Sequence, residues 1–425
     1  MISVEELLRE NKQIFRTGIE REGLRMTREG VLADTPHPAI FGEKLKNYHI
    51  KTDFCESQPE LVTLPCASLE ETYVALEKLT EEMKKEISKS GEILWSQSMP
   101  CILPDEARIK TSIHPGDFAM PLREYLECVR QLYGAKIQTI CGIHFNISLH
   151  DAFFEKAREG SGINQSLRMY KDEMYLKIVR NYTRYHWFVL LVMGASPVCH
   201  TSFGYYLDSM IEEGEILIGE YATSLRMSHI GYQNKKEVNI DYTTLETFTK
   251  SIQRAVAHGD LIDEGALFAP IKLKAKDNVN YVKSLQEDGV LYIELRDLDL
   301  NPFDPNAFAV NDMKFLQLFI AFMLSLEETE YEGWQTQAEY NAYQVAEFGR
   351  DLGCHLLENG REIVLEEAVN NLCKKLCEFN EKTEFMKQED LRICLERAQF
   401  VENSYSARIL HRIKKHGFIK GNLME

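Results

Sequence analysis

The sequence predicts an α+β protein, an antiparallel β-sheet backed by helices with a mainly helical C-terminal part. Three observations point there. Strand-like runs with period-two alternation are short, and helices or long connections separate them without a regular βαβ rhythm. From Met313 onward the pattern is helical almost throughout. With 425 residues, 44% hydrophobic and 27% charged, the chain can bury a sizeable core. No internal repeat, low-complexity tract or Pro/Gly/Ser linker interrupts it. The reading is therefore one contiguous domain over 1–425, with motifs across 15–306 and a helical part over 313–425.

In chain order, "VEELLRENKQIF" is acidic and amphipathic, without the basic start, apolar run or small-residue cleavage site of a secretion signal. "FRTGIEREGLRM" and "KTDFCESQPELVT" alternate as strands. In the second, Pro59 cannot donate to a ladder, which predicts a bulge or edge position that brings Asp53 and Glu60 to one site. "SLEETYVALEKLTEEMKKEISKSG" predicts a helix with Ser68 as N-cap, Glu71 completing a capping box and Gly91 at the stop. "TICGIHFNISLH" is a strand, and a helix follows over about Leu167 to Met193. Its apolar end, "HWFVLLVMGAS", is far short of the ~20 residues that cross a bilayer, so it reads as a buried helix end and no membrane partner is expected. "APIKLKAK" and "VLYIELRDLDL" are strands. Helices then run through "LQLFIAFMLSLEE", "WQTQAEYNAYQVAEFGRDLG", "EIVLEEAVNNLCKKLCEFN" and "EDLRICLERAQFVENSYSARILHRIKK".

Lys and Arg number 49 against 66 Asp and Glu, a formal charge of -17, which opposes a phosphate backbone and excludes nucleic acid as a main partner. A local cluster of cations or metal leaves room for a small anionic substrate. The 10 cysteines form no CxxC pair, so they read as free thiols of a cytoplasmic protein. Cys373 and Cys377 share a helix face and read as core rather than as metal ligands.

Glu20 and Glu22 raise the central question. At i and i+2 of a strand they face one side, ~6.8 Å apart, and repel by about 2 kcal/mol at an effective dielectric near 20. A wet strand face tolerates that; a cleft needs a cation. The same alternation puts His144, Asn146 and Ser148 on one face of their strand, and Glu294 and Arg296 on one face of theirs, opposite apolar residues. Carboxylates with one imidazole are hard ligands that suit Mg2+ or Mn2+ better than zinc. Their task would be nucleotide phosphate chemistry, with Arg226 and Arg296 meeting phosphoryl or carboxylate oxygens. There is no GxxxxGK[ST], GxGxxG or GxSxG. The cluster alone would also serve a two-metal phosphohydrolase, and a catalytically silent binding protein is a third reading.

The ordered blocks "GIEREGLRM", "TDFCESQPELVT", "LWSQSMPC", "YGAKIQTICGIHFNISL", "VMGASPVC", "YATSLRMSHIGYQN", "LFAPIK" and "YIELRDLDLNPF" resemble the bacterial glutamate–cysteine ligases from about residue 15 to 306, with weaker similarity around "SYSARILH". The resemblance implies an ATP-dependent ligase that phosphorylates the γ-carboxylate of L-glutamate and lets the amine of L-cysteine displace the phosphate. The product would be γ-glutamylcysteine, the first step of glutathione synthesis. It implies a glutamine-synthetase-like sheet funnel with Mg2+ between nucleotide and amino acid. Carried over by motif, Glu20, Glu22, Asp53, Glu60, His144 and Glu294 match metal positions. Arg226 and Arg296 match arginines at the phosphates and the glutamate carboxylate, and Arg296 and Lys272 are expected at the nucleotide. Gln138 and Asn146 belong to a substrate-holding block, while Tyr125 and Tyr232 match tyrosines of the cysteine pocket. Phe54 would pack, and Glu56 would be a carboxylate behind the ligands. His229 has no assigned role.

Two departures qualify that picture. "ARIKTSIHPGDFAMPLREYLECVRQL" keeps Tyr125 but otherwise leaves the pattern of the larger proteobacterial enzymes, which opens the alternative of the same chemistry with a different amine. Cys141 stands where Ser or Ala is usual and reads as a buried inert thiol. Some members fuse a second ATP-dependent domain; none is visible before Glu425, so the chain is expected to stop at γ-glutamylcysteine. Oligomeric state is not indicated.

Overall fold

The computed structural model describes residues 3–328 and 332–423. The five strand candidates supply six strands of one antiparallel sheet: β1 (Phe15–Glu22), β2 (Ile50–Thr52), β3 (Pro59–Val62), β4 (Ile143–Leu149), β5 (Ile271–Lys274) and β6 (Tyr292–Leu298). Their spatial order is β5-β6-β4-β1-β3-β2. Directly opposed residues share a face, so the register turns alternation along each strand into rows across the sheet. One row runs Ile271, Leu295, Phe145, Ile19, and the next Lys272, Glu294, Asn146, Gly18. Glu20 opposes His144, and Glu22 opposes Glu60, which in turn opposes Lys51. One face is thus apolar and the other collects the charged residues.

Arg21 breaks the rule. It lies on the apolar face between Leu61 and Ile143, where burial pushes its guanidinium down to about 10 and Nη2 donates to Ser96 Oγ at 3.3 Å.

Helices cover the apolar face. Helix α1 (Leu69–Ser88) buries Leu69, Thr72, Leu76, Thr80, Met83 and Ile87 along one stripe and lies on β1 and β3. Helix α2 (Met120–Tyr133) packs on the short turn Ile137–Thr139. Helix α3 (Leu167–Met193) lies across β5 and β6, and α4 (Val310–Ser325) packs on α3 and α1. Helices α5 (Trp334–Phe348), α6 (Leu365–Thr383), α7 (Gln388–Gln399) and α8 (Tyr405–His416) complete the helical C-terminal part. One hydrophobic core connects residues from Leu7 to Ala398. Among the described residues no helix is long and apolar enough to cross a membrane.

Four local expectations are corrected. Pro59 causes neither a bulge nor an edge: it opens β3, an inner strand, where a missing donor costs no ladder bond. The irregularity lies in β6, between Leu295 and Leu298. Ser68 accepts from the Glu71 N–H at 3.1 Å, but Glu71 reaches back to the Ala67 N–H at 3.3 Å rather than to the cap residue. The "EIV" of the third C-terminal helical run belongs to a hairpin, His355–Glu358 with Arg361–Val364, turned by Asn359 and Gly360 at φ 50 and 75. The last run is two helices, because Ser404 starts α8 by capping the Ala407 N–H.

Candidate active site

On the polar face, His144 is the hub. Its Nδ1 lies 3.4 Å from Glu20 Oε2 and 3.2 Å from Glu294 Oε1, and its Nε2 lies 3.7 Å from Glu22 Oε1. Glu20, His144 and Glu294 can each offer one ligand atom, all within 4.8 Å of one another. Asn146 orients this group, donating from Nδ2 to Glu20 Oε1 at 2.9 Å. Burial alone would raise Glu294, yet Arg296 and Lys274 hold it down to about 2, with Arg296 Nη1 at 3.0 Å and Lys274 Nζ at 2.8 Å. Glu20 likewise resists burial and falls well below the usual carboxylate range through its bond to His144. Burial and then Arg296 push His144 down.

Glu22, Glu60 and Asp53 form a second group of opposite character. Burial, then the negative charge of Asp53, pushes Glu22 far up. Burial pushes Glu60 to about 8 even though Lys51 Nζ sits 3.0 Å away. Asp53 is exposed at the turn between β2 and β3. The six expected ligands therefore divide into two carboxylate groups flanking one imidazole, rather than one cluster.

Two arginines border the second group. Arg226, on a tight turn over Leu225–Met227, donates from Nη2 to the Arg296 carbonyl at 2.5 Å. Its guanidinium lies over Gly142, where any Cβ would collide with it, while the Gly142 N–H donates to Glu22 Oε2 at 2.7 Å. Glycine is needed there for close approach. Tyr232 meets the Tyr133 ring at 4.6 Å and the Phe268 edge at 5.3 Å. Tyr125, on α2, stays 38% exposed, and burial of its hydroxyl pushes it up to about 12.

Other sequence-indicated residues lie at varied distances from this centre. Lys272 shares the polar face but donates to the Gly265 carbonyl, and burial with Arg296 pushes it down to about 7; the ion pair with Glu294 comes from Lys274. Gln138 sits on the turn Ile137–Thr139, its buried Nε2 without a partner among the described residues. Phe54 is buried. Glu56 accepts from the His37 and Ile113 N–H groups at 2.8 and 2.7 Å and from Lys44 Nζ at 2.5 Å, tying three loops together. Cys141 is fully buried, and burial then Glu22 push its thiol far up. His229 contacts Glu347 at 2.6 Å and stacks on Tyr343. Sequence reasoning missed Lys51, Lys274 and Tyr133. The first two carry a signal, the alternation of "IKT" and "IKLK"; Tyr133 carries none beyond its place on the helix of Tyr125. At the far end of the face from the arginines, a cavity of about 340 Å³ is lined by Arg16, Gly18, Asn146, Ser148 and Tyr292.

Comparison with known proteins gives this geometry a context. The family model for glutamate–cysteine ligase matches residues 4–345. The chain is 34% identical over 418 residues to the glutathione biosynthesis bifunctional protein of Clostridium perfringens, covering 95% of this chain and 52% of that protein. It thus spans about half the length of such bifunctional relatives. A Clostridium acetobutylicum glutamate–cysteine ligase is 33% identical over 398 residues, 84% of this chain and 82% of that one. The crystal structure of the Francisella tularensis glutamate–cysteine ligase in complex with AMP superposes with a TM-score of 0.89 at 26% identity, covering 96% of this chain and 86% of that one. The sequence match over most of the chain and the shared fold agree with the blocks that line the polar face: the chain belongs to the glutamate–cysteine ligase family.

Proposed function

We propose that the chain is an ATP-dependent carboxylate–amine ligase that joins the γ-carboxylate of L-glutamate to the amine of L-cysteine through a γ-glutamyl phosphate, releasing γ-glutamylcysteine, ADP and phosphate. The observation that carries the reading is the polar sheet face itself. Two carboxylate groups flank His144, with guanidinium groups at one end and a half-open cavity at the other. Family membership and the AMP-bound Francisella tularensis relative support the nucleotide.

The donor set fits a divalent cation. Burial pushes both Glu22 and Glu60 up, and the charge of Asp53 adds to each rise, so a cation bound there would take the place of their protons. Hard oxygen donors with one imidazole favour Mg2+ or Mn2+. Glu20, His144 and Glu294 would hold one ion, and Glu22, Asp53 and Glu60 another. Bound ions would neutralise the nucleotide phosphates during transfer.

The chain's own groups supply the rest. A carboxylate is inert to amines at neutral pH, so the glutamate γ-carboxylate must first become a mixed anhydride. Arg296 and Arg226 are the cations that would steady the phosphoryl group and the glutamate carboxylate. Lys272 and Lys274 face the nucleotide side, whose base would enter the cavity of Arg16, Ser148 and Tyr292. Gln138 would help hold substrate, and Asn146 acts through Glu20. Tyr125, Tyr133 and Tyr232 would wall the acceptor pocket. The main core, which runs from Leu7 to Ala398, supports reading 1–425 as one catalytic unit, and ten free thiols fit a reducing cytoplasm.

The deciding experiment incubates the protein with ATP, Mg2+, L-glutamate and one amine at a time, following ADP and the γ-glutamyl product. Turnover with L-cysteine above other amines is expected. Better turnover with another amine replaces the acceptor, and phosphate release without glutamate or amine replaces the ligase reading by a phosphohydrolase.

A further inference from the structure

Arg226 carries its charge into the funnel from a turn, and among the described residues no carboxylate forms an ion pair with it; its guanidinium is held by the Arg296 carbonyl and lies over Gly142. Its place therefore depends on its own backbone. That backbone is tied to Ala195 and Ser196, just past the end of α3: Leu225 N–H donates to the Ser196 carbonyl at 2.7 Å, and Ser196 N–H to the Thr223 carbonyl at 3.2 Å.

Asp299, one residue beyond β6 and buried, holds the other side of this joint. Its Oδ2 accepts from the Ala195 N–H at 2.8 Å and from Ser196 Oγ at 2.7 Å. With its proton committed to Asp299, Ser196 Oγ is left as an acceptor. It meets Ser224 Oγ at 3.2 Å and the Arg226 N–H at 3.4 Å, while Ser224 Oγ accepts from the Met227 N–H at 3.3 Å. A chain of oriented hydroxyls thus runs from the carboxylate to the two amides that frame the Arg226 side chain. Burial raises the Asp299 carboxyl, and the charge of Arg226 offsets part of that rise, so the two also balance electrostatically. Because β6 carries Glu294 and Arg296, the same strand holds Arg226 twice, at its guanidinium and at its turn.

We propose that Asp299 is the positioning residue of Arg226, acting through the Ser196 and Ser224 hydroxyls to fix the guanidinium against the reacting end of the funnel. The proposal rests on the ligase reading above and assigns a task to a carboxylate outside both ligand groups. A rigid mount matters because a misplacement of about 1 Å can cost about a hundredfold in rate.

The test compares Asp299→Asn and Ser196→Ala with Asp297→Asn. Asp297 is a buried carboxylate within β6 that bonds Tyr182 Oη at 2.7 Å and His186 Nδ1 at 3.1 Å, not the turn. In Asp299→Asn, kcat/KM for glutamate should fall about 10- to 100-fold, and less in Ser196→Ala, with KM for ATP and the Mg2+ activation constant unchanged. Asp297→Asn should match its thermal stability while keeping glutamate kcat/KM. Unchanged glutamate kinetics in Asp299→Asn, a rise in KM for ATP as large as that for glutamate, or the same loss in Asp297→Asn overturns the proposal. Absence of ligase turnover in the wild-type protein rejects the ligase reading instead. The mount is then judged by amide hydrogen exchange at Arg226 and Met227, which should quicken in Asp299→Asn; unaltered exchange sinks it.

Discussion

Glu20 and Glu22 sit two residues apart on one face, yet their environments push them in opposite directions. Glu20 has His144 and Asn146 as bonded partners with Lys274 nearby, and stays ionised. Glu22 faces Asp53 and Glu60 and holds its proton. Glu22→Gln removes a ligand but keeps the neutral shape of the protonated carboxyl, so the metal-free variant should melt no lower than wild type while the Mg2+ concentration for half-activation rises at least about tenfold. Wild-type Mg2+ dependence would remove Glu22 from the ligand set. Arg296, bonded to Glu294 and carrying Arg226 on its carbonyl, is placed to meet charge that develops during transfer. Arg296→Ala should lower kcat more than it raises KM for glutamate; steady-state kinetics showing a change in KM alone would place Arg296 on the ground-state carboxylate.

At the scale of elements, the face is made by pairing. β1 brings two glutamates, β4 an imidazole and an amide, β6 a carboxylate and a guanidinium, β3 a carboxylate and β2 and β5 lysines, and only the register puts them in reach of one another. Helix α2 contributes differently, setting Tyr133 against Tyr232 at 4.6 Å with Lys235 over its ring at 5.2 Å. Tyr133→Phe removes the hydroxyl next to Tyr232 and keeps the ring. KM for the acceptor amine should rise several-fold while KM for glutamate stays within twofold, and initial rates at varied acceptor concentration check it. Helices and strands were legible in the sequence because their periodicity is strong. Pro59 misled because a proline at a strand's first residue and one at a bulge look alike along the chain. The hairpin before α6 was hidden because "EIV" continues smoothly into an amphipathic helix.

Over the whole molecule, the carboxylate surplus should govern stability against pH. Glu60 has a folded value of about 8 against an unfolded one near 4.3, and Glu22 shifts the same way. The native state therefore holds protons that the unfolded chain has released. Their contribution is full below the unfolded value and is lost as pH rises through about 8. Glu294 and Glu20 act oppositely, with stability present above the unfolded value and lost as pH falls toward about 2 and below. His144 and Lys272, both pushed down, contribute with the opposite sign in this window, so the comparison is differential: in EDTA the melting temperature of wild type should fall relative to that of Glu60→Gln between pH 5 and 8, and Mg2+ should restore more of it at pH 8 than at pH 5, with protons released on binding. Calorimetry in buffers of different ionisation enthalpy measures that release; a wild-type melting temperature that keeps a constant offset from Glu60→Gln over this range contradicts the assignment.

By itself the sequence determined the α+β class, the long helices, the polar set Glu20, Glu22, His144, Asn146, Glu294 and Arg296 and the family it resembles, because periodicity and motif order are local properties of the chain. Tertiary structure alone decided how that set divides. Which carboxylate faces Lys274 and which faces another carboxylate depends on strand register, and so does the sign of each shift. It also placed Lys51 and Tyr133 beside the site and Asp299 behind Arg226, contacts between residues far apart in the chain that no spacing encodes.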